Sequence, residues 1–272
     1  MEIIQTFKRY FHFYRNAKTI YDIHSPLAAD IIKWYYSKNP DLSPFLSEYR
    51  RELLQNRSAV STLDLGAGSK SKNKNPTVSD IATRSLSSPT QMIGMHRICM
   101  EQKPEYILEL GTSFGLMSLS LQAAAPEAIL YTIEGNPTVA EIARSLIERS
   151  PLKNKPILIV GSFDQKLPTL LELVPRLNFV FIDGDHTYEG TMKYLTMIIP
   201  KLDPHAMVLI HDIHWSSEME KAWQECRNLS SVQMSLEFFE LGILLFRREI
   251  LQKQHFSILP YWQKPWRVGL FA

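Results

Sequence analysis

The chain has 272 residues, 45% of them hydrophobic and 21% charged, with a formal net charge of +2. That is enough for one sizeable core plus an extra lobe, and it excludes the strong field on which nucleic-acid or membrane-surface binding relies. No apolar run approaches the ~20 residues needed to span a bilayer, and Cys99 and Cys226, far apart and without metal-ligand spacing, fit a reduced, cytoplasmic setting.

In chain order, the first ~100 residues read as a helical preamble. Residues 2–18, 25–37 and 43–56 show helical spacing, broken by Pro26, Asn39-Pro40 and Pro44. The first of these is aromatic and basic, with Phe7, Tyr10, Phe11, Phe13 and Tyr14 among Lys8, Arg9, Arg15 and Lys18. As a helix it presents an aromatic face for packing and a basic face to solvent, and it lacks the apolar core and cleavage site of a signal peptide. Val60-Ser-Thr-Leu-Asp-Leu-Gly-Ala-Gly68 then has the form of a strand and glycine turn, with Asp64 two residues ahead of the first glycine. The segment after Gly68 is polar, carries Lys70, Lys72 and Lys74 and ends at Pro76, so no packed helix can begin there. Residues 66–80 read as a loop over the active site. Residues 90–103 are helical again.

From residue 106 onward the pattern is regular. Strand-like runs fall at 106–110, 129–133, 157–160, 178–182 and 206–210, with helical patterns at 115–125, 138–150, 165–174, 188–199 and 216–228 between and after them. Such alternation predicts a parallel sheet covered by helices on both faces. The last two runs, 232–239 and 241–247, are too close for a crossover helix and predict an antiparallel hairpin at one edge. Seven strands result.

The first strand runs into a glycine turn, Tyr106-Ile-Leu-Glu-Leu-Gly-Thr-Ser-Phe-Gly115. A strand, a glycine turn and a helix make the usual cradle for a nucleotide-like cofactor. Glu109 selects among such cofactors. It would repel a pyrophosphate, whereas the ammonium and sulfonium of S-adenosylmethionine suit a carboxylate. Two other readings remain open. Gly111-Thr-Ser-Phe-Gly115 also satisfies G-x-S-x-G, the nucleophile elbow of α/β-hydrolases, which would make Ser113 a nucleophile. Alternatively, Gly111 and Gly115 serve only a tight turn.

Each later strand ends in groups that carry chemistry. Glu134, before Gly135, can accept hydrogen bonds from both ribose hydroxyls. Gly161-Ser162-Phe163-Asp164 fits the edge and face of an adenine. Asp183-Gly-Asp185-His186 and His211-Asp212-Ile-His-Trp215 lie where open α/β sheets bind ligands. Adjacent parallel strands are ~4.8 Å apart, so Asp183 and Asp212 could reach one hard cation such as Mg2+.

With these motifs in order, residues 88–247 resemble a class I S-adenosylmethionine-dependent methyltransferase, most of all the catechol and caffeoyl-CoA O-methyltransferase group. Ser87-Ser88-Pro-Thr-Gln91 resembles that group's segment before the first strand, which touches the cofactor. Glu109 to Gly115 matches its first motif, and Glu134 its ribose acid. Asp183 corresponds to a metal-binding aspartate, and His186 stands where the group has a catalytic lysine. Asp212 corresponds to a second metal aspartate, but the amide ligand that comes after it in the group is Ile213 here. His211 or Asp185 would have to complete a metal set. The resemblance implies a Rossmann-like α/β methyltransferase fold with a helical extension at 1–87, a cofactor domain at 88–249 and a tail at 250–272. It implies a cofactor site of Ser88, Glu109, Gly111, Thr112, Ser113, Gly115, Glu134, Gly135, Gly161, Ser162, Phe163, Asp183 and Asp185.

The expected reaction is methylation of a hydroxyl on a small molecule, with no nucleic-acid partner. His186 would act as general base, since an imidazole titrates near pH ~6.5, oriented by Asp185. Two rivals stand beside it: a serine hydrolase using Ser113 with Asp183 and His211 or His214, and a non-catalytic cofactor-binding protein of the same fold. The aromatic tail, Pro260-Tyr-Trp-Gln-Lys-Pro-Trp266, can dock on the domain or on a second copy, as in a homodimer.

Overall fold

The computed structural model describes residues 2–36, 43–60 and 76–267. The Asp64 turn and the lysines at 70, 72 and 74 lie outside them.

Among the described residues five α-helices come first: α1 (Glu2–Asn16), α2 (Pro26–Tyr35), α3 (Pro44–Gln55), α4 (Val78–Ser85) and α5 (Pro89–Gln102). Their starts are written in the sequence. Proline stands at the N-terminus of α2, α3 and α5, and Ser25 and Ser88 cap α2 and α5 with their side chains. The loop expected over 66–80 lies outside the described residues up to 75, and its last residues, from Val78, belong to helix α4 instead. Its Thr77 and Asp80 form a capping box, each satisfying the other's backbone N–H.

The rest is β1 (Tyr106–Leu110), α6 (Leu116–Ala124), β2 (Ile129–Glu134), α7 (Pro137–Arg149), β3 (Ile157–Val160), α8 (Phe163–Leu173), β4 (Leu177–Ile182), α9 (Tyr188–Ile198), β5 (Leu202–His211), α10 (Ser217–Asn228), β6 (Met234–Glu237), β7 (Leu241–Leu245) and β8 (Gln254–Ser257). The strands form one sheet in the order β3-β2-β1-β4-β5-β7-β6-β8. Strands β1 to β5 are parallel, and β7 runs antiparallel to both β5 and β6. The hairpin is as expected. The eighth strand is not: β8 adds in parallel beside β6. At four residues, half-buried and polar, it has too little alternation to be read from sequence.

Alternate residues divide the core between the two faces. Ile107, Phe179, Phe181, Met207 and Leu209 face one side, packed with α2, α5 and α6. Leu108, Leu110, Val180, Ile182, Val208 and Ile210 face the other, against α8, α9 and α10. Phe13 of helix α1, with Ala17 just after it, packs against Leu259, which joins α1 to the segment after β8. Both cysteines are free and buried, and burial pushes their thiols up, Cys226 to about 12. No helix among the described residues is long and apolar enough to cross a membrane.

Candidate active site

The order of the sheet reverses at β1, with β2 on one side and β4 on the other. Ligands of open α/β sheets sit in the crevice outside the carboxyl ends of strands at such a switch point. The turns after β1 to β5 gather there, and they concentrate the unusual backbone. Gly111, Gly115 and Gly161 have positive φ, and so do Ser113 (49°), Asp185 (48°) and Asp212 (56°). A non-glycine residue held this way costs roughly 1–3 kcal/mol, and such strain collects at functional sites. Gly111 has a second reason to be glycine. A Cβ there would lie 2.1 Å from the carbonyl oxygen of Asp183, so the β1 and β4 turns touch only because it has none.

The β1 turn is fastened to β2. The N–H groups of Gly111 and Thr112 both donate to Ile133 O. Thr112 Oγ1 is 2.5 Å from Thr132 Oγ1. Ser113 N donates to Glu134 Oε2 at 2.8 Å, and Asn136 N to Glu134 Oε1 at 2.9 Å. Burial raises the Glu134 carboxyl above its ordinary value, opposed by the N–H groups of Asn136, Ser113 and Gly135. Glu134 thus stands at the turn as a hydrogen-bonded acid.

Glu109 is a different kind of acid. It is fully buried between β1 and α6, accepting from the hydroxyls of Ser118 and Thr132. Its Oε1 has no hydrogen-bond partner among the described residues. Burial pushes its carboxyl up to about 8, against those two hydroxyls, and the nearby Asp183 and Glu134 add to the rise. An orphaned buried oxygen beside a glycine cradle fits a cationic cofactor group and does not fit a pyrophosphate.

At the β3 turn, Ser162 precedes α8 without a side-chain cap, and the Phe163 ring lies where a Cβ on Gly184 would meet it at 2.9 Å. Asp164 is engaged by Lys193 Nζ (2.7 Å) and Tyr194 Oη (3.0 Å), so it neither caps the helix nor faces a base edge freely. Asp185 does not orient His186. Its carboxylate accepts from Thr187 Oγ1 (3.0 Å) and Tyr194 Oη (3.3 Å) at the start of α9. Ser88 is likewise occupied in its capping box with Gln91, whose side chain donates to Glu240.

The β4 and β5 ends form the second half of the site. Asp183, His186 and Asp212 place one ligand atom each within 4.8 Å of one another. His186 Nε2 is 3.9 Å from Asp183 Oδ1 and 4.0 Å from Asp212 Oδ2. His211 enters this cluster from the end of β5. Its Nδ1 lies 3.0 Å from Asp183 Oδ1 and 3.6 Å from Asp212 Oδ1. Burial would lower the His211 pKa, but Asp183 and then Asp212 and Glu240 hold it up at about 9. Burial pushes the Asp183 carboxyl up, but the His211 and His186 rings outweigh it and hold that carboxyl below its usual value. For Asp212 burial wins and the carboxyl is raised. A Mg2+ ion takes six oxygens. Here a cation would meet two carboxylates and an imidazole, while Ile213 is buried and apolar.

The serine-hydrolase reading fails on this geometry. Ser113 Oγ pairs with Ser85 Oγ at 3.1 Å, and its N–H goes to Glu134. His211 is bonded to Asp183, and His214 to Glu220 and Glu237, both at 2.9 Å. Both nitrogens of His214 are taken by carboxylates, and among the described residues the hydroxyl of Ser113 is bonded to Ser85 and to neither ring.

Residues 108–213 match the family described as Methyltransferase domain. The chain is 33% identical over 90 residues to catechol O-methyltransferase of Bos taurus, covering 32% of this chain and 33% of that one. It is 29% identical over 108 residues to catechol O-methyltransferase of Mycobacterium tuberculosis, covering 39% and 47%. The chain therefore spans between a third and a half of these relatives. Among solved structures, the SAH-bound methyltransferase PaMTH1 of Podospora anserina aligns with a TM-score of 0.59 at 16% identity, over 83% of this chain and 97% of that one. The O-methyltransferase TomG of Streptomyces achromogenes, in complex with SAM, gives 0.57 at 20%, over 80% and 96%. These likenesses extend the shared fold into the helical preamble. With its switch-point acids and glycine turn in this order, the chain is similar over residues 108–213 to the methyltransferase domain family, and over about a third of its length to catechol O-methyltransferases.

Proposed function

We propose that this chain is an S-adenosylmethionine-dependent O-methyltransferase acting on a hydroxyl of a small molecule. The observation that carries the reading is the pairing of the β1 turn with Glu134. The Ser113 N–H bonds that carboxylate at 2.8 Å, making turn and acid one unit at the switch point. The carboxylate retains acceptor capacity for ribose hydroxyls. Glu109 and Asp183 lie on the side that suits an ammonium, and Ser162 and Phe163 on the side that suits an adenine. Gly111, Thr112, Ser113, Gly115, Gly135 and Gly161 shape the backbone between them. Asp185 contributes by holding the start of α9, and Ser88 by starting α5.

When bound, S-adenosylmethionine supplies an electrophilic methyl, whose bond to sulfur breaks as the bond to the acceptor oxygen forms. The chain's own residues have to align that oxygen and take its proton. His186 receives the proton on Nε2, and Asp183 and Asp212 steady the imidazolium that forms. Holding the acceptor in line removes much of the entropic barrier. Trp215 is exposed beside this cluster, its backbone N–H donating to Asp212 O at 2.9 Å, and its ring forms one wall for a planar acceptor.

We assign residues 88–249 to the cofactor domain, with 1–87 as its extension and 250–272 as its tail. Two free, buried thiols fit a cytoplasmic setting. A homodimer would use the exposed Trp262 and Trp266 of the tail.

Calorimetric titration with S-adenosylmethionine tests the reading on wild type, Glu134→Ala and His186→Ala. Losing a charged hydrogen-bond partner costs about 1.5–3 kcal/mol, so Glu134→Ala should bind at least about tenfold more weakly. His186→Ala should bind normally and lose turnover in a screen of hydroxylated acceptors. Full turnover in His186→Ala would remove the general-base role. Binding without turnover in wild type on every acceptor would support the binding-only alternative instead.

A further inference from the structure

The two carboxylates at the ends of β4 and β5 already have a donor between them, supplied by the chain. We propose that His211 occupies the position between Asp183 and Asp212 that a divalent cation would take, so that this site works without a metal. The proposal rests on reading the cluster as the acceptor side of the methyltransferase site.

The distances place the ring. Nδ1 is 3.0 Å from Asp183 and 3.6 Å from Asp212. A carboxylate only accepts, so Nδ1 carries the proton and donates it. The oxygen it bonds, Asp183 Oδ1, is also the one that His186 faces at 3.9 Å. The acceptor direction a cation would use is therefore engaged.

The ring is also fixed. His211 is the last residue of β5, in register with Leu241 of β7, and its side chain is 10% exposed. The Phe181 ring lies edge-on at 6.1 Å. The ring, held by a paired strand and packed from the side, takes up the side of the two carboxylates that faces β5 and leaves a cation only the side of His186. The remaining donors offer little there. The residue after Asp212 is Ile213, fully buried in the core against α10, so no amide oxygen faces the cluster from there. Asp185, the other acid within reach in sequence, is turned into α9 by Thr187 and Tyr194. A hard cation would keep two carboxylates and one imidazole where it prefers six oxygens.

In this arrangement His211 is a positioning residue. It holds Asp183 and Asp212 facing His186, so the proton acceptor has a fixed anionic support without a bound ion. Its role is invisible from spacing, because His211 and Asp183 meet only through the pairing of β4 with β5.

Mn2+ is a suitable probe, since free and bound ion are distinguished by paramagnetic resonance. The full chain should leave millimolar Mn2+ free, and EDTA should change turnover by less than about twofold. His211→Asn removes the donor ring and presents an amide oxygen, so it should gain Mn2+ binding by at least about tenfold. Tight Mn2+ binding by wild type that disappears in Asp212→Asn would overturn the proposal. So would a folded His211→Asn that binds Mn2+ no better than wild type. The wild-type titration decides the question even if the variant does not fold. Calorimetry with S-adenosylmethionine on the same samples keeps the two readings separate. A chain that binds the cofactor and also Mn2+ refutes only the metal-free site, while failure to bind the cofactor refutes the proposed activity.

Discussion

Glu109 and Glu134 show how two buried acids in one crevice acquire different properties. Glu134 receives backbone N–H groups from the β1 and β2 turns, so its charge is solvated by the protein. Glu109 receives two neutral hydroxyls on one oxygen and nothing on the other among the described residues. Its carboxyl, raised to about 8 by burial, is largely protonated at pH 7. A cationic ligand arriving beside it favours the ionised form and lowers that pKa. Binding of S-adenosylmethionine at pH 7 should therefore release a proton, approaching about one per site. Calorimetry in buffers of different ionisation enthalpy reads this as a change in apparent binding enthalpy from buffer to buffer. Glu109→Gln should abolish the dependence. An identical enthalpy for wild type in every buffer would mean that Glu109 does not sense the cofactor.

At the scale of elements, α1 is held by the far end of the chain. Phe13 is 3% exposed and lies against Phe239 (5.4 Å between centroids) and His214 (6.0 Å). Arg9 pairs with Glu220 of α10 at 3.2 Å, and the Tyr10 and Tyr14 hydroxyls both bond Gln263. The Lys264 ammonium donates to Ala17 O at 2.6 Å. Truncating a buried phenylalanine costs about 3–5 kcal/mol in a large core. In this small cluster Phe13→Ala should cost about 3 kcal/mol in urea unfolding and leave S-adenosylmethionine affinity unchanged. A loss below about 0.5 kcal/mol would show that α1 is not docked in solution. The helical spacing of α1 was legible in sequence, but its aromatic face packs only through Tyr10, Phe13 and Tyr14, with Phe7 and Phe11 exposed and Arg9 turned to Glu220, and its partners were not legible because the contacts span more than two hundred residues. Strands β1 to β5 were legible for a related reason. β1, β4 and the second half of β5 are buried on both faces and read as near-continuous apolar runs, while the edge strand β3 is equally apolar in sequence though only half-buried. The capping box at Thr77 and Asp80 was a readable start signal for α4, masked by the polar run before it. Strand β8 had no such signal. His211 was already a candidate partner of Asp183 in sequence, but that its Nδ1 bonds Asp183 needed the register of two strands, which no periodicity supplies.

The whole molecule is a sheet with both faces covered, so its titrating groups at the strand ends are buried and their linkage reaches global stability. The His211 pKa is raised from 6.5 to about 9 by Asp183, which outweighs its burial. A raised imidazole stabilises fully below its unfolded value, and that contribution is lost as pH rises through about 9. Glu109 is raised from 4.5 to about 8 by burial. The unfolded chain gives up that proton first, so stability also falls as pH rises from about 4.5 to about 8. Both effects act in one direction between about pH 6.5 and 8. On the acid side, Asp183 and Glu237 have lowered carboxyls, set respectively by His211 and His214 against the cost of burial. Their contribution is present above the ordinary carboxylate range and is lost as pH falls through their lowered values. Stability should therefore peak at mildly acidic pH and decline toward alkaline pH, although the net charge of +2 is too small to drive unfolding by repulsion. Scanning calorimetry from about pH 4 to 10 should show a lower unfolding temperature at about pH 9 than at about pH 6. Glu109→Gln should flatten the decline, because glutamine has no proton to lose. A wild-type midpoint higher at about pH 9 than at about pH 6 would contradict both assignments, since neither a raised imidazole nor a raised carboxyl can stabilise the fold as protons leave.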